Sequence, residues 1–352
     1  MYPEGKLARR TKNGFVEFKV MAPKEMRTPN CYYEICFDER EYMNTICFAH
    51  SDEPRPIISL LRKPPRPFRP TSPMERALFS VLRLENERGG SFMPVGTSFV
   101  FYFGQGDGRR EFIVTNRHIV EKHTNLTVVF HLGQRDWVSG VRYTIPNLPE
   151  LQPTVGRFVR ADLSKIAAAW TFHPDADIDL AVYPLGPILE YLNPFGGGNE
   201  QYYSPLSVKM VPDDNFVAGL DVVENVQFIG YPSGIYDSYT QLPIVRQGVT
   251  ATPYLVDYEG RPTFLIDAPV FEGSSGSPVF VSGRARNDKH GHAASRADLV
   301  LLGIVARHRY IEVERGGQSW KVERNLGEVF RAHLILEAID AAVSTGNDRA
   351  DT

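Results

Sequence analysis

Residues 271–280 read Phe-Glu-Gly-Ser-Ser-Gly-Ser-Pro-Val-Phe, a short turn of glycines and serines that leads into an apolar run. A serine hydroxyl becomes a nucleophile only when a base removes its proton and nearby donors stabilise the oxyanion that it generates. Glycines on either side of a serine keep the backbone approachable. The same residues also suit an ordinary turn between two strands. The choice depends on a base and an orienting carboxylate upstream.

Two upstream residues have the required chemistry. His118 lies where the apolar run 112–120 turns, and Asp179 precedes the apolar residues 180–183. Taken singly, the histidine fits a hydrogen-bonded structural role. The aspartate alone fits an Asx turn at the start of a strand. The order His118, Asp179, Ser275 favours a catalytic set over three unrelated residues.

In this order the chain resembles the trypsin/chymotrypsin-like serine peptidases, especially their disulfide-free bacterial branches, the glutamyl-endopeptidase-like and HtrA-like enzymes. Four motifs carry the resemblance: T-x-x-H at residues 115–118, D-[IL]-A-[VL] at 179–182, G-x-S-G-[GS]-P at 273–278 and the substrate-flanking G-I-V at 303–305. The resemblance covers roughly residues 75–340. It implies a peptidase that needs neither a metal nor an organic cofactor.

The resemblance also implies a role for each residue. Ser275 would attack the scissile carbonyl, and His118 would accept its proton and later donate it to the leaving amine. Asp179 would hold the imidazole and stabilise its cation. The backbone amides of Gly273 and Ser275 would form the oxyanion hole.

Three other residues compete for these roles. Ser274 and Ser277 are alternative nucleophiles, but only Ser275 occupies the third position of its motif. Asp177 is the rival to Asp179, and it falls two residues earlier, in the loop before the strand. We therefore predict the triad Ser275, His118 and Asp179.

The residue before the nucleophile departs from the zymogen-type relatives, which place an aspartate there to receive a freed N-terminal amine. This chain has Ser274. No internal salt bridge of that kind can form, so we expect activation without N-terminal processing.

The specificity pocket departs from the trypsin pattern as well. Pro269 stands six residues before the nucleophile, where trypsin-type enzymes carry the aspartate that selects lysine and arginine. Ala306, Arg307 and His308 follow the substrate-flanking strand. The histidine of glutamate-preferring relatives would map near Val305, so a preference for acidic residues lacks support there, although Arg307 and His308 are cationic candidates. A small or apolar residue is the default expectation at the cleaved position.

The pattern of strands favours a mainly β protein. Short runs rich in Val, Ile, Phe and Tyr alternate with Gly, Pro, Asn and Asp, as in residues 96–103, 112–115, 126–130, 226–230 and 299–305. Residues 104–108 predict a hairpin between the first two of these strands. Apolar residues at helical spacing from 329 to 343 predict a closing amphipathic helix. The resemblance implies two six-stranded antiparallel barrels of trypsin-like type before that helix.

Composition narrows the class of protein. The 352 residues are 42% hydrophobic with a formal net charge of −3, which suits packed cores and argues against nucleic acid or an acidic membrane as partners. Neither an apolar signal segment nor a membrane-spanning run occurs. All three cysteines precede residue 48, which suits a reducing compartment. We expect a cytoplasmic protein.

The prolines of residues 64–73 mark the main boundary, because clustered prolines favour an extended spacer. We predict a small β-rich N-terminal domain at 1–63, a linker at 64–73, the peptidase domain at 74–343 and a polar tail at 344–352. We expect no PDZ-like segment after the peptidase region.

Two groups of residues could suggest a metal. The first is Cys31, Cys36, Cys47 and His50, which lacks a C-x2-C knuckle and has cysteines in apolar strand patterns. The second is the loop pair His290 and His292, with no cysteine or carboxylate to complete a site. We predict no metal site.

These observations predict an intracellular serine endopeptidase that acts on protein or peptide substrates. An unsecreted protease endangers its own compartment, so we expect gating by an activating protein partner or by the N-terminal domain. Two alternatives stay open: a non-catalytic interaction protein with the same fold, and an acyl-hydrolase that acts on non-peptide substrates.

Overall fold

A computed structural model describes residues 5–11, 14–20, 68–104, 109–135, 151–193, 200–282, 299–315 and 318–346. The chain divides into two units. One is Met1–Arg55 with Leu60–Lys63, and the other is Pro56–Ser59 with Pro64–Thr352.

The first unit contains a β-hairpin. Strands β1 (Gly5–Thr11) and β2 (Gly14–Val20) pair antiparallel. The strands predicted around residues 32–37 and 45–48, the three cysteines and His50 lie outside the described residues. The domain boundaries and the linker therefore stay predictions.

The larger unit begins with a short helix, α1 (Pro73–Ala77). Ser72 caps it, because the serine hydroxyl accepts from the backbone N–H of Glu75 while the Glu75 carboxylate accepts from the backbone N–H of Ser72. Pro73 suits the first helical position, where no intrahelical N–H donor is required. The last residue of the predicted linker thus begins a helix.

A sheet of nine strands follows, accompanied by two helices. The elements are β3 (Val81–Arg88), β4 (Ser91–Phe103), β5 (Arg110–Thr115), α2 (Arg117–Lys122), β6 (Leu126–Arg135), β7 (Leu151–Asp162), β8 (Thr171–Phe172), β9 (Ala181–Pro184), α3 (Gly186–Leu192), β10 (Glu200–Tyr202) and β11 (Leu206–Ser207). Strands β4 and β5 pair antiparallel from Phe103 and Arg110 inward, as the predicted hairpin requires.

This first half departs from the six-stranded barrel that we expected. Six of its strands are neighbours that pair antiparallel, in the order β7-β6-β3-β4-β5-β9. Within the described ranges, however, no pairing joins β7 to β9. The free edge of β9 is taken by β8, because Thr171 pairs with Val182 and Phe172 with Ala181. The ring stays open, and the half is a nine-stranded sheet.

The second half is a closed barrel followed by a helix. Its elements are α4 (Asp214–Val217), β12 (Asn225–Gly230), β13 (Ile244–Thr250), β14 (Thr263–Asp267), β15 (Pro278–Ser282), β16 (Leu299–Arg315), β17 (Gln318–Arg331) and α5 (His333–Ser344). The barrel order is β12-β13-β14-β17-β16-β15. The predicted mainly β class, the six-stranded barrel of this half and the C-terminal helix are confirmed.

Alternating side chains join the two halves. On β4, Val100 packs into the core of the first sheet, whereas Phe99 and Phe101 point to the opposite face and share a core with α5. That shared core also receives Ile304 of β16. Each such apolar side chain contributes roughly 1.5–3 kcal/mol on burial. The halves are thus held together by strands that are buried on both faces.

Helix α5 closes this core with an apolar stripe. Its buried residues recur with the helical period, and they are Leu334, Ile335, Ala338, Ile339 and Ala342. In the part of the chain that the structure describes, no helix is both long enough and apolar enough to cross a membrane.

Candidate active site

Strand pairing brings His118 and Asp179 together. Strands β5 and β9 run antiparallel, and Thr115 at the end of β5 pairs with Ala181 at the start of β9. His118 is the second residue of α2, which begins directly after β5. Asp179 lies two residues before Ala181, where β9 begins. The two side chains therefore emerge from neighbouring strand ends.

Asp179 holds the histidine through both carboxylate oxygens. Its Oδ2 lies 2.7 Å from Nδ1 of His118, and its Oδ1 accepts the backbone N–H of His118 at 2.9 Å. The first N–H groups of a helix have no intrahelical partner, so this contact supplies one. Asn116 fixes the same segment, since its side-chain amide donates to the backbone oxygen of Asp179 at 2.8 Å.

The environment of the pair suits a base. Asp179 is 6% exposed, so its carboxylate relies on these hydrogen bonds in place of water. The imidazole of His118 is about one-third exposed, with its side chain at 31%. Among the described residues, no hydrogen bond engages Nε2 of His118. That nitrogen is free to exchange a proton with another group.

Glycine is required on both sides of Ser275. Gly273 has a φ of 83° and Gly276 a φ of 87°, in the left-handed region that residues with a Cβ rarely adopt. A Cβ added at Gly276 would also lie 1.8 Å from the backbone oxygen of Thr97. The two glycines allow the serine turn to pack directly against β4.

Thr97 anchors this turn, and sequence reasoning missed it. Its backbone N–H donates to the oxygen of Ser275 at 3.0 Å, and its hydroxyl donates to the oxygen of Gly273 at 2.9 Å. The hydroxyl of Thr115 in turn donates to the oxygen of Thr97 at 2.7 Å. The signal available in the sequence was the polar pair Thr97-Ser98 inside an otherwise apolar strand.

Among the described residues, the hydroxyl of Ser275 makes no hydrogen bond to His118. It donates to the backbone oxygen of Ala306 at 2.9 Å. The pairing of β16 with β17 passes from Val305 with Val329 to Arg307 with Glu328, so Ala306 is an extra residue at a β-bulge. The bulge presents the Ala306 carbonyl to the serine. The structure thus joins His118 to Asp179 and leaves Ser275 on a neighbouring acceptor.

The two predicted oxyanion donors are the backbone N–H groups of Gly273 and Ser275. Within the described ranges, no hydrogen bond engages the backbone N–H of Gly273 or of Ser275. The rival serines are buried: Ser274 is 1% exposed and Ser277 is 0% exposed. The hydroxyl of Ser274 accepts from the backbone N–H of Phe271 at 3.3 Å, which gives it a structural role in the turn. Ser275 is the most exposed of the three serines.

A cavity of about 420 Å³ lies beside the histidine. Its lining comprises Arg117, His118, Glu121, Ala176, Asp177, Asp179, Arg261 and Arg307. Asp177 reaches this cavity, but its backbone N–H is held by the Asp175 carboxylate at 2.9 Å and it makes no hydrogen bond to the histidine. Of the two aspartates, Asp179 is the one that is hydrogen-bonded to the histidine.

The predicted specificity residues are placed unequally. Pro269 is partly buried just after β14, and Ala306 is 1% exposed with its carbonyl on Ser275. Arg307 is exposed and lines the cavity with His118. His308 continues β16, and its side chain lies outside the described residues. In the described part of the chain, no cluster of three His, Cys, Asp or Glu side chains could hold a metal ion.

Three solved structures are similar to this chain at low sequence identity and low TM-score. An inactive mutant of Rv3671c from M. tuberculosis H37Rv is 15% identical over 82% of this chain and 98% of its own, with a TM-score of 0.36. The HtrA-type protease AlgW with a decapeptide is 13% identical over 78% and 66%, with a TM-score of 0.40. The Drosophila clip serine protease Grass of the Toll pathway is 13% identical over 77% and 70%, with a TM-score of 0.44. At these values, neither the sites nor the substrates of those proteins transfer to this chain.

No curated protein matches the sequence significantly. A sequence model of the trypsin-like peptidase domain matches residues 96–285, more than half of the 352 residues. That span includes both strand ends of the His118–Asp179 pair and the whole serine turn. The chain belongs to the trypsin-like peptidase domain family.

Proposed function

We propose that this protein is a serine endopeptidase in which Ser275 is the nucleophile, His118 the general base and Asp179 the residue that orients the base. The observation that carries the proposal is the 2.7 Å contact of His118 Nδ1 with Asp179, which leaves Nε2 available. A buried carboxylate on one nitrogen and a free second nitrogen are what proton transfer from a hydroxyl requires.

Catalysis first requires a movement of the nucleophile. The Ser275 hydroxyl donates to the Ala306 carbonyl, and it has to leave this acceptor before it can donate to His118. The hydrogen bond between a nucleophile and its base commonly forms only in the substrate complex. A substrate amide that donates to the Ala306 carbonyl would compete for this acceptor and favour the rotated hydroxyl.

The chemical steps then follow from the pair. His118 takes the hydroxyl proton as Ser275 attacks the scissile carbonyl, and Asp179 stabilises the imidazolium that forms. The backbone N–H groups of Gly273 and Ser275 are unoccupied and stabilise the oxyanion. His118 returns the proton to the leaving amine, and water hydrolyses the acyl-enzyme by the same route.

Gating and a cytoplasmic location complete the proposal. The resting contact of Ser275 with Ala306 supports a regulated enzyme, because the nucleophile and the base are not yet engaged. The absence of cysteine after residue 47 supports a reducing compartment. The proposed activator is either a protein partner or the N-terminal domain.

Turnover of casein and of a nitrophenyl ester tests the function. The full-length protein is expected to cleave casein, and Ser275→Ala is expected to abolish the cleavage. Ser277→Ala is the matched control, since the Ser277 hydroxyl has no hydrogen-bond partner in the described part of the chain. Ester hydrolysis without casein cleavage would favour the acyl-hydrolase alternative instead.

A further inference from the structure

The cavity beside His118 contains six charged side chains besides the histidine: three arginines and three carboxylates. Most of these side chains already form an ion pair or a hydrogen bond within the protein. Arg117 pairs with Glu121 at 2.7 Å, and Arg261 contacts the buried Glu328 at 2.9 Å. Asp179 is held by His118. These side chains have their charge balanced within the protein.

Two charges in the cavity are left over. In the described part of the chain, no ion pair or side-chain hydrogen bond engages Arg307 or the carboxylate of Asp177. An unpaired charge beside the reacting groups can bind an opposite charge of the substrate. Arg307 and Asp177 are therefore the two candidates for selecting the charge of the substrate.

The position of Arg307 relates it to a bound peptide. It directly follows Ala306, whose carbonyl lies 2.9 Å from the Ser275 hydroxyl, and the bulge at Ala306 re-aims the strand there. A peptide that extends along this strand places its scissile carbonyl at Ser275. Its neighbouring residue then passes beside Arg307.

The cavity fits the residue before the cleaved one. Among the described residues, neither Ser275 nor Pro269 lines it, so we assign the side chain of the cleaved residue to a different surface. Successive side chains of an extended peptide point to opposite faces. The side chain of the preceding residue therefore points toward His118 and Arg307.

The chemistry of His118 decides the sign of the substrate charge. The imidazole becomes a cation during acyl transfer, and a basic side chain in the same cavity would oppose that change. A carboxylate would favour it while pairing with the guanidinium of Arg307. An acidic side chain thus assists the transition state as well as binding.

We propose that Arg307 selects an acidic residue, Asp or Glu, at the position immediately before the cleaved residue. The inference rests on the proposed peptidase function. It identifies Arg307 as the specificity-determining residue and Asp177 as a weak opposing charge in the same cavity.

Peptidyl phosphonate probes test this selection without a known substrate. Each probe is a diphenyl ester of an alanine phosphonate, preceded by Glu, Gln or Lys. Ser275 forms a bond to phosphorus, phenoxide leaves and the serine proton reaches it through His118. A simple fluorophosphonate, which has no peptide part, reports separately whether Ser275 reacts at all.

The Glu probe is expected to label the full-length protein about 10-fold faster than the Gln probe, as a charge-assisted hydrogen bond would give. Arg307→Gln is expected to reduce this ratio to about 1, and Asp177→Asn to increase it. Arg324→Gln is the matched control, because Arg324 is exposed on β17 and outside the cavity lining. That variant is expected to keep the wild-type ratio.

Three outcomes would overturn the proposal. A Glu-to-Gln ratio near 1 with normal fluorophosphonate labelling would reject acid selection alone. A preference for the Lys probe that is lost in Asp177→Asn would show that the cavity binds a basic side chain of the substrate. Absence of fluorophosphonate labelling would reject the peptidase function and this inference with it.

Discussion

The Nδ1 atom of His118 lies 2.7 Å from Oδ2 of Asp179, and the other carboxylate oxygen accepts the backbone N–H of the same histidine. One buried carboxylate therefore fixes both the ring and the backbone of the proposed base. This arrangement makes the two rival aspartates experimentally separable.

Asp179→Asn is expected to lower kcat by about 10⁴-fold, because an amide cannot stabilise the imidazolium and favours the wrong tautomer. Asp177→Asn is expected to leave kcat within about 3-fold, since an exposed carboxylate without a hydrogen bond to the histidine contributes little. Turnover of one peptide substrate by both variants provides the measurement. A larger loss in Asp177→Asn would show that the orienting residue had been misidentified.

Gly276→Ala tests the close approach of the serine turn to β4. The new Cβ would lie 1.8 Å from the oxygen of Thr97 at a φ of 87°, so a loss of at least ~3 kcal/mol in the free energy of unfolding is expected. Gly90→Ala is the matched control. Its φ is 81° with nothing within 4 Å, so only the conformational cost of about 1–2 kcal/mol applies. Urea unfolding compares the two variants, and equal losses would contradict the predicted clash.

A buried ionic network predicts a second stability difference. Arg83 is fully buried, with Nε 2.7 Å from Glu85 and an Nη 2.9 Å from the side chain of Gln241. Arg83→Met leaves Glu85 with only the partner Arg160, and a loss of roughly 3 kcal/mol is expected.

The half-exposed Arg109, which pairs with Glu111, provides the comparison. Arg109→Met is expected to change the free energy of unfolding by less than ~1 kcal/mol. Thermal unfolding of both variants at one pH measures the difference. A similar small change for Arg83→Met would show that the buried network contributes no net stability.

His131 predicts how stability depends on pH. Burial, with a smaller effect from Arg83, lowers the pKa of His131 to about 4. The ordinary value of 6.5 applies in the unfolded chain, so between pH 6.5 and 4 the unfolded state binds a proton that the native state does not. The contribution of His131 is therefore complete above pH 6.5 and decreases as the pH falls toward 4.

The non-titrating His131→Phe variant is expected to lose less stability than wild type between pH 7 and pH 4.5. The difference is on the order of 2–3 kcal/mol. Denaturant titrations at the two pH values measure it. Parallel pH profiles for both proteins would mean that His131 is not the group responsible.

The sequence predicted the parts of the fold that depend on local patterns. The glycines around Ser275, the histidine after an apolar strand and the apolar stripe of α5 all follow from spacing and backbone preference. The open first sheet did not follow, because it depends on the two-residue strand β8 taking the edge of β9. Two residues are too short for a periodic signal.

Contacts between distant segments also escaped the sequence. Thr97 anchors the serine turn although it lies 178 residues before Ser275 in the sequence. The bulge at Ala306 leaves no local pattern in the sequence, because it depends on the pairing of β16 with β17. Nor does a local pattern show that Arg307 lacks an ion pair in the described part of the chain. Only the cationic character of Arg307 could be read in advance.

Labelling by a fluorophosphonate, followed by intact mass and peptide mapping, tests the central assignment most directly. We expect one adduct per chain, located on Ser275, absent in Ser275→Ala and retained in Ser277→Ala. Adduct formation on any other serine, or no adduct on the native full-length protein, would contradict it.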